Sequence, residues 1–100
     1  MKTTIQCQDG NTVAYLEGSL DTAAAPETEK AMQPLCDCNG QDIIIDCTNL
    51  AYISSAGLRI FLNVLKNAEE KGSHVYIKNI NDTVRSIFAI TGFINIFDFK

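Results

Sequence analysis

Residues 48–62 read Thr-Asn-Leu-Ala-Tyr-Ile-Ser-Ser-Ala-Gly-Leu-Arg-Ile-Phe-Leu, and they follow directly on the apolar run Asp42-Ile-Ile-Ile-Asp-Cys. An apolar strand, a short loop and a pair of serines at the head of a periodic helix form a strand–loop–helix unit. That order puts a serine hydroxyl at a helix N-terminus. Free backbone N–H groups and the positive end of the macrodipole favour negative charge there. The continuously apolar strand suits a central position covered on both faces. At about 100° per residue, Leu58, Phe61, Leu62 and Leu65 share one stripe of the helix, while Arg59, Asn63, Lys66 and Glu70 lie opposite or beside it. Ile60 falls far from that stripe and Val64 at its edge. Either a neighbouring helix covers both, or Ile60 belongs to a docking surface beside the serines.

Outward from this unit, the remaining elements follow from periodicity and punctuation. Residues 3–7 and 12–17 read as strands joined at Asp9-Gly10-Asn11, a hairpin signal. Gly18-Ser19-Leu20-Asp21 reads as a loop, and Asp21 or Thr22 can cap a helix over 23–35 with Pro26 in its first turn. The serine helix runs to about Lys71, with Gly72 as its stop. Residues 73–78 form another strand. Asn81 or Asp82 caps a helix through Thr91, Gly92 ends it, and 94–99 form a last strand. The order β-β-α-β-α-β-α-β predicts an α/β fold with a mixed, mostly parallel sheet.

One hundred residues fit a single domain spanning 1–100. No apolar run reaches the roughly 20 residues of a membrane span. The first residues lack a signal-peptide core, so the chain reads as cytoplasmic. Its net charge of −4 disfavours nucleic acid and anionic membrane as partners. The charge is uneven: residues 1–57 carry −6 and residues 58–100 carry +2. This is either an ordinary solvated surface or an acidic face around the serines that meets a basic partner. Cys36-Asp37-Cys38 lacks a second ligand cluster, and His74 is the single histidine, so no metal site is expected. Cys7 and Cys47 read as small core residues. Hydrolysis would need a histidine base at a serine elbow, and His74 sits at a strand start with no such elbow.

Residues 43–62 and 80–92 resemble the anti-sigma-factor antagonist group of STAS domains. The signature lies in Ile43 to Asp46 followed by Tyr52-Ile53-Ser54-Ser55-Ala56-Gly57-Leu58. Gly18-Ser19-Leu20-Asp21 is similar to an early Gly-x-Leu-Asp segment of that family, and Val84, Ile87, Phe88, Thr91 and Gly92 match its later helix. The resemblance implies a four- or five-stranded sheet with helices mainly on one face. It implies that Ser55 is a phosphoacceptor, that Asp21 helps shape its site, and that the surface of Asp21, Ser54, Ser55, Ala56, Gly57, Arg59, Ile60 and Asn63 meets a partner. Ser54 stands where many members carry Asp, which makes it a rival acceptor. The family usually has a final helix after its last strand, whereas this sequence ends at Lys100.

The implied function is antagonism of an anti-sigma factor with serine kinase activity, reset by a PP2C-type phosphatase. The chain would be monomeric when free, with no enzyme activity or cofactor of its own. Two other expectations remain: a constitutive STAS subunit of a transport or stress-signalling complex, and a small-ligand or nucleotide-binding STAS domain.

Overall fold

The computed structural model describes residues 1–8, 10–36 and 41–99. Asp9 of the expected turn, and Asp37 and Cys38 of the Cys-x-Cys segment, lie outside them. Strand β1 (Lys2–Gln8) pairs antiparallel with β2 (Asn11–Leu20), from Lys2 opposite Glu17 to Gln8 opposite Asn11. Strands β3 (Ile43–Ile53), β4 (Val75–Lys78) and β5 (Asp98–Phe99) then add in parallel, giving the sheet order β1-β2-β3-β4-β5. The crossovers run through α1 (Ala25–Ala31) and α2 (Gln33–Cys36), then α3 (Ser55–Glu70), then α4 (Asp82–Thr91). Successive right-handed crossovers that always advance to the next strand leave every helix on the same face of the sheet.

That one-sided arrangement corrects the expectation of a central strand covered on both faces. Along β3, Ile43, Ile45 and Cys47 are buried against the helices, while Ile44 and Asp46 are only half-buried on the other face. Ile44 stands between Val13 and Tyr76 in register, and these neighbours shield it without a covering layer. Facing the helices, Ala14, Leu16, Ile45 and Ile77 meet Met32, Leu35, Phe61, Val64 and Phe88 in one core.

Two strands are longer than their sequence pattern. β2 continues through Gly18, Ser19 and Leu20, read above as a loop, and β3 continues to Ile53 instead of ending at Cys47. Their C-terminal halves pair through two register shifts, one between Tyr15 and Glu17 and one between Gly18 and Ser19. Such bulges break the alternation by which a strand is recognised. They turn Leu20, Leu50 and Ile53 into the core. Gly18 has φ +103° beside the second shift, a conformation that L side chains rarely adopt.

The expected helix over 23–35 is two pieces separated at Met32. Pro34 has no N–H to bond the Lys30 carbonyl, so the α-helical ladder cannot pass through it. The break still buries Met32 and Leu35.

On α3 the buried face is wider than the Leu58–Leu65 stripe. Ile60, Val64 and Ala68 are buried with Leu58 and Phe61, whereas Leu62 and Leu65 are half-buried. Contacts from α1 and α2 cover the flank where Ile60 and Val64 lie.

Among the described residues the C-terminal strand is only Asp98–Phe99, because a 3₁₀ turn over Phe93–Asn95 precedes it. The turn serves the core: all five phenylalanines, Phe61, Phe88, Phe93, Phe97 and Phe99, join one cluster with neighbouring centroids 6.0–6.5 Å apart.

Candidate docking site at the head of helix α3

Parallel strands β2, β3 and β4 end on the same edge of the fold, so α1, α3 and α4 all begin there. A side chain holds the turn that leads into α1, and side-chain N-caps hold the starts of α3 and α4. The Asp21 carboxylate accepts from the Ala24 N–H at 2.8 Å, the Ser54 hydroxyl from the Gly57 N–H at 3.3 Å, and the Asn81 side-chain carbonyl from the Val84 N–H at 2.8 Å. The loops before α3 and α4 are also tied to the sheet. The Ser54 N–H donates to the Leu20 carbonyl at 2.8 Å, and the Asn81 amide donates to the Leu50 carbonyl at 2.9 Å. Asp21 therefore lies beside Ser54 because Leu20, its chain neighbour, is bonded to it.

The two serines have different surroundings. Ser54 is the N-cap of α3, in extended conformation at φ −94° and ψ 174°, half-buried, with its oxygen already accepting a backbone bond. Ser55 is the first helical residue and is exposed. Its side chain stands at the positive end of the helix and is accessible to another protein.

Gly57 and Ile60 shape this site from beneath. A Cβ on Gly57 would lie 2.7 Å from Leu20 Cγ and 2.8 Å from Ile53 Cγ1. The absence of a side chain there lets the first turn of α3 press against the ends of β2 and β3. Ile60 is 4% exposed, covered by the neighbouring helical segment, and it still forms part of the floor of the groove beside the serines. Arg59 and Asn63 are exposed and Ala56 is half-buried. With Thr22 and Pro26, these residues line a groove of about 330 Å³ between α1 and α3 that starts beside the serines. Tyr52, 43% exposed two residues before Ser54, is a site candidate that the sequence reading passed over. Its signal was an aromatic residue inside the loop motif, a type common among interface anchors.

Other candidates lie elsewhere. His74 is near the start of β3, where its N–H donates to Asp42 and its carbonyl accepts from Ile43, while Ser54 follows the far end of that strand. It cannot serve as base to either serine. Cys47 is fully buried, and burial, assisted by the adjacent Asp46 carboxylate, pushes its thiol up to about 12. Cys7, read above as a core residue, is exposed, because β1 is an edge strand. Among the described residues no helix is long and apolar enough to cross a membrane.

The sequence profile of the STAS domain matches residues 2–100. The chain belongs to the STAS domain family. Among curated STAS relatives, BtrV of Bordetella bronchiseptica, assigned as an anti-sigma factor antagonist, is 34% identical over 97 residues, covering 97% of this chain and 84% of BtrV. The anti-sigma-B factor antagonist of Staphylococcus aureus is 32% identical over 75 residues, covering 75% of this chain and 69% of that protein. Among solved structures, the Bacillus cell fate determinant SpoIIAA in its phosphorylated form superposes with a TM-score of 0.73 at 18% identity, covering 99% of this chain and 91% of SpoIIAA. The mixed sheet with its helices on one face is thus the STAS fold. The two curated relatives are named for regulatory antagonism, a binding role and not an enzymatic one.

Proposed function

We infer that this STAS domain is an anti-sigma factor antagonist whose binding is switched by phosphorylation of Ser55. In the unphosphorylated state, the head of α3 and the adjoining α1 groove dock on an anti-sigma factor with serine kinase activity, and the sigma factor is released. The observation that carries this reading is the division of labour between the serines: Ser54 is committed to capping while Ser55 is exposed one residue on. The names of the curated relatives support the antagonist role.

In the switching step the kinase transfers the γ-phosphoryl group of ATP to Ser55 Oγ. The P–O bond to ADP breaks, ADP leaves, and a base of the kinase takes the hydroxyl proton. ATP and its metal ion belong to the partner, and the antagonist supplies only the acceptor. A PP2C-type phosphatase returns Ser55 to the hydroxyl form. The free antagonist acts as a monomer in the cytoplasm.

Phosphate adds about −1.5 to −2 charges and three acceptor oxygens. At the head of a helix the dipole favours that charge by about 0.3–1 kcal/mol, so the fold tolerates it. Inside a docked interface the same charge loses its water, at a cost of several kcal/mol unless a cation pairs with it. Each ~1.4 kcal/mol changes affinity tenfold, which is ample to end binding.

Wild type, Ser55→Ala and Ser55→Glu used as baits on lysate of the source cells test this. Recovery of an ATPase-type anti-sigma factor by the first two and not by the third is the expected result. The same partner on all three baits would replace the switch with a constitutive interaction subunit.

A further inference from the structure

The first turn of α3 differs from those of the other two helices at this edge. Glu27 stands in the first turn of α1 and Asp82 in that of α4, each meeting the positive end of its helix. The first turn of α3 holds no acidic residue. One position beyond that turn is a cation, Arg59, exposed and four residues after Ser55. Arg59 makes no ion pair among the described residues, where the one ion pair joins Lys2 to Glu17 at 3.9 Å. Glu29 lines the same groove from α1 without pairing with it. The unmodified first turn of α3 therefore joins the positive end of its dipole to a guanidinium, with no acidic residue of its own and, among the described residues, no ion pair to Arg59.

Residues i and i+4 lie on the same helix face with Cβ atoms about 5–6 Å apart, and an anion N-terminal to a cation is the favoured order. A guanidinium also offers a fork of donors matched to phosphate oxygens. We propose that phosphorylation of Ser55 creates an intramolecular latch in which the phosphate pairs with Arg59. This deepens the switch reading above and rests on it. The latch has two effects on the same surface. It places a negative charge in a first turn that has no acid of its own, and it withdraws the Arg59 guanidinium from the groove where it is open to an acidic or carbonyl group of the partner. Modification thus removes an attractive group as well as adding a repulsive one.

The test installs phosphoserine at position 55 during synthesis, so no kinase is needed, in wild type, Arg59→Gln and Arg59→Lys. The second ionisation of the phosphate is followed by phosphorus NMR. Pairing with a cation favours the dianion, so wild type is expected to titrate lower than Arg59→Gln by roughly 0.3–0.7 pH unit. Arg59→Lys should retain part of that shift, because it keeps the charge and loses the fork. Identical titrations of wild type and Arg59→Gln would overturn the latch, whatever the partner does. Amide spectra of the unphosphorylated variants check that each is folded, which the exposure of Arg59 favours. Loss or retention of anti-sigma factor binding by the phosphorylated wild type judges the switch reading separately.

Discussion

Helices α3 and α4 begin in the same way and differ in what the beginning is used for. Each has an N-cap residue in extended conformation, and each cap side chain accepts from the N–H three residues on, Ser54 from Gly57 and Asn81 from Val84. In α4 that third residue is a fully buried valine, an acid stands in the first turn, and Asn81 makes a second bond to the Leu50 carbonyl. That helix head is electrostatically and sterically closed. In α3 the third residue is a glycine pressed on Leu20 and Ile53, the first turn has no acid, and a free serine leads the helix. Capping alone does not mark a functional site. An exposed hydroxyl at a helix head with no acid in its first turn distinguishes α3.

Mutations can break or sharpen this contrast. The largest effect is expected on the α4 side, where Phe88 is fully buried at the centre of the phenylalanine cluster. Phe88→Ala should cost about 3–5 kcal/mol in denaturant unfolding. A loss below ~1 kcal/mol would mean that Phe88 does not hold the phenylalanine cluster together. Next is Gly57→Ala, where the new methyl group must displace Leu20 or Ile53. A loss of about 1–3 kcal/mol is expected from overpacking. Unchanged or increased stability, as helix propensity alone would give, would show that α3 does not need its close approach.

Removing the caps ranks third. Asn81→Ala deletes two hydrogen bonds and Ser54→Ala one, so thermal unfolding should register losses of about 1–2 and about 0.5–1 kcal/mol respectively. Equal losses would erase the claim that α4 is the more firmly tied head. The smallest effect belongs to Ser55→Ala, expected within about 0.5 kcal/mol of wild type because the side chain is exposed. A loss as large as that of Ser54→Ala would reverse the roles given to the two serines.

The comparison also shows where sequence reading succeeds. Asn81, Gly92 and the 3.6-residue period of α4 are local signals, and the helix spans the residues they mark. Ser54 and Ser55 are locally indistinguishable, both being suitable caps. The extended backbone at Ser54 separates them, and its N–H is bonded to Leu20, a residue 34 positions earlier. Ile60 lay off the apolar stripe, and its burial depends on where the α1–α2 segment crosses.

By itself, then, the sequence determined the order of elements, the approximate starts and stops of α3 and α4, and the motif that places a serine pair at a helix head. These depend on backbone preferences and side-chain periods within a few residues. The tertiary structure alone decided how far β2 and β3 extend, which face of the sheet is covered, and which serine is left free. Each of these depends on hydrogen bonds and contacts between segments roughly 30 residues apart, which no local pattern encodes.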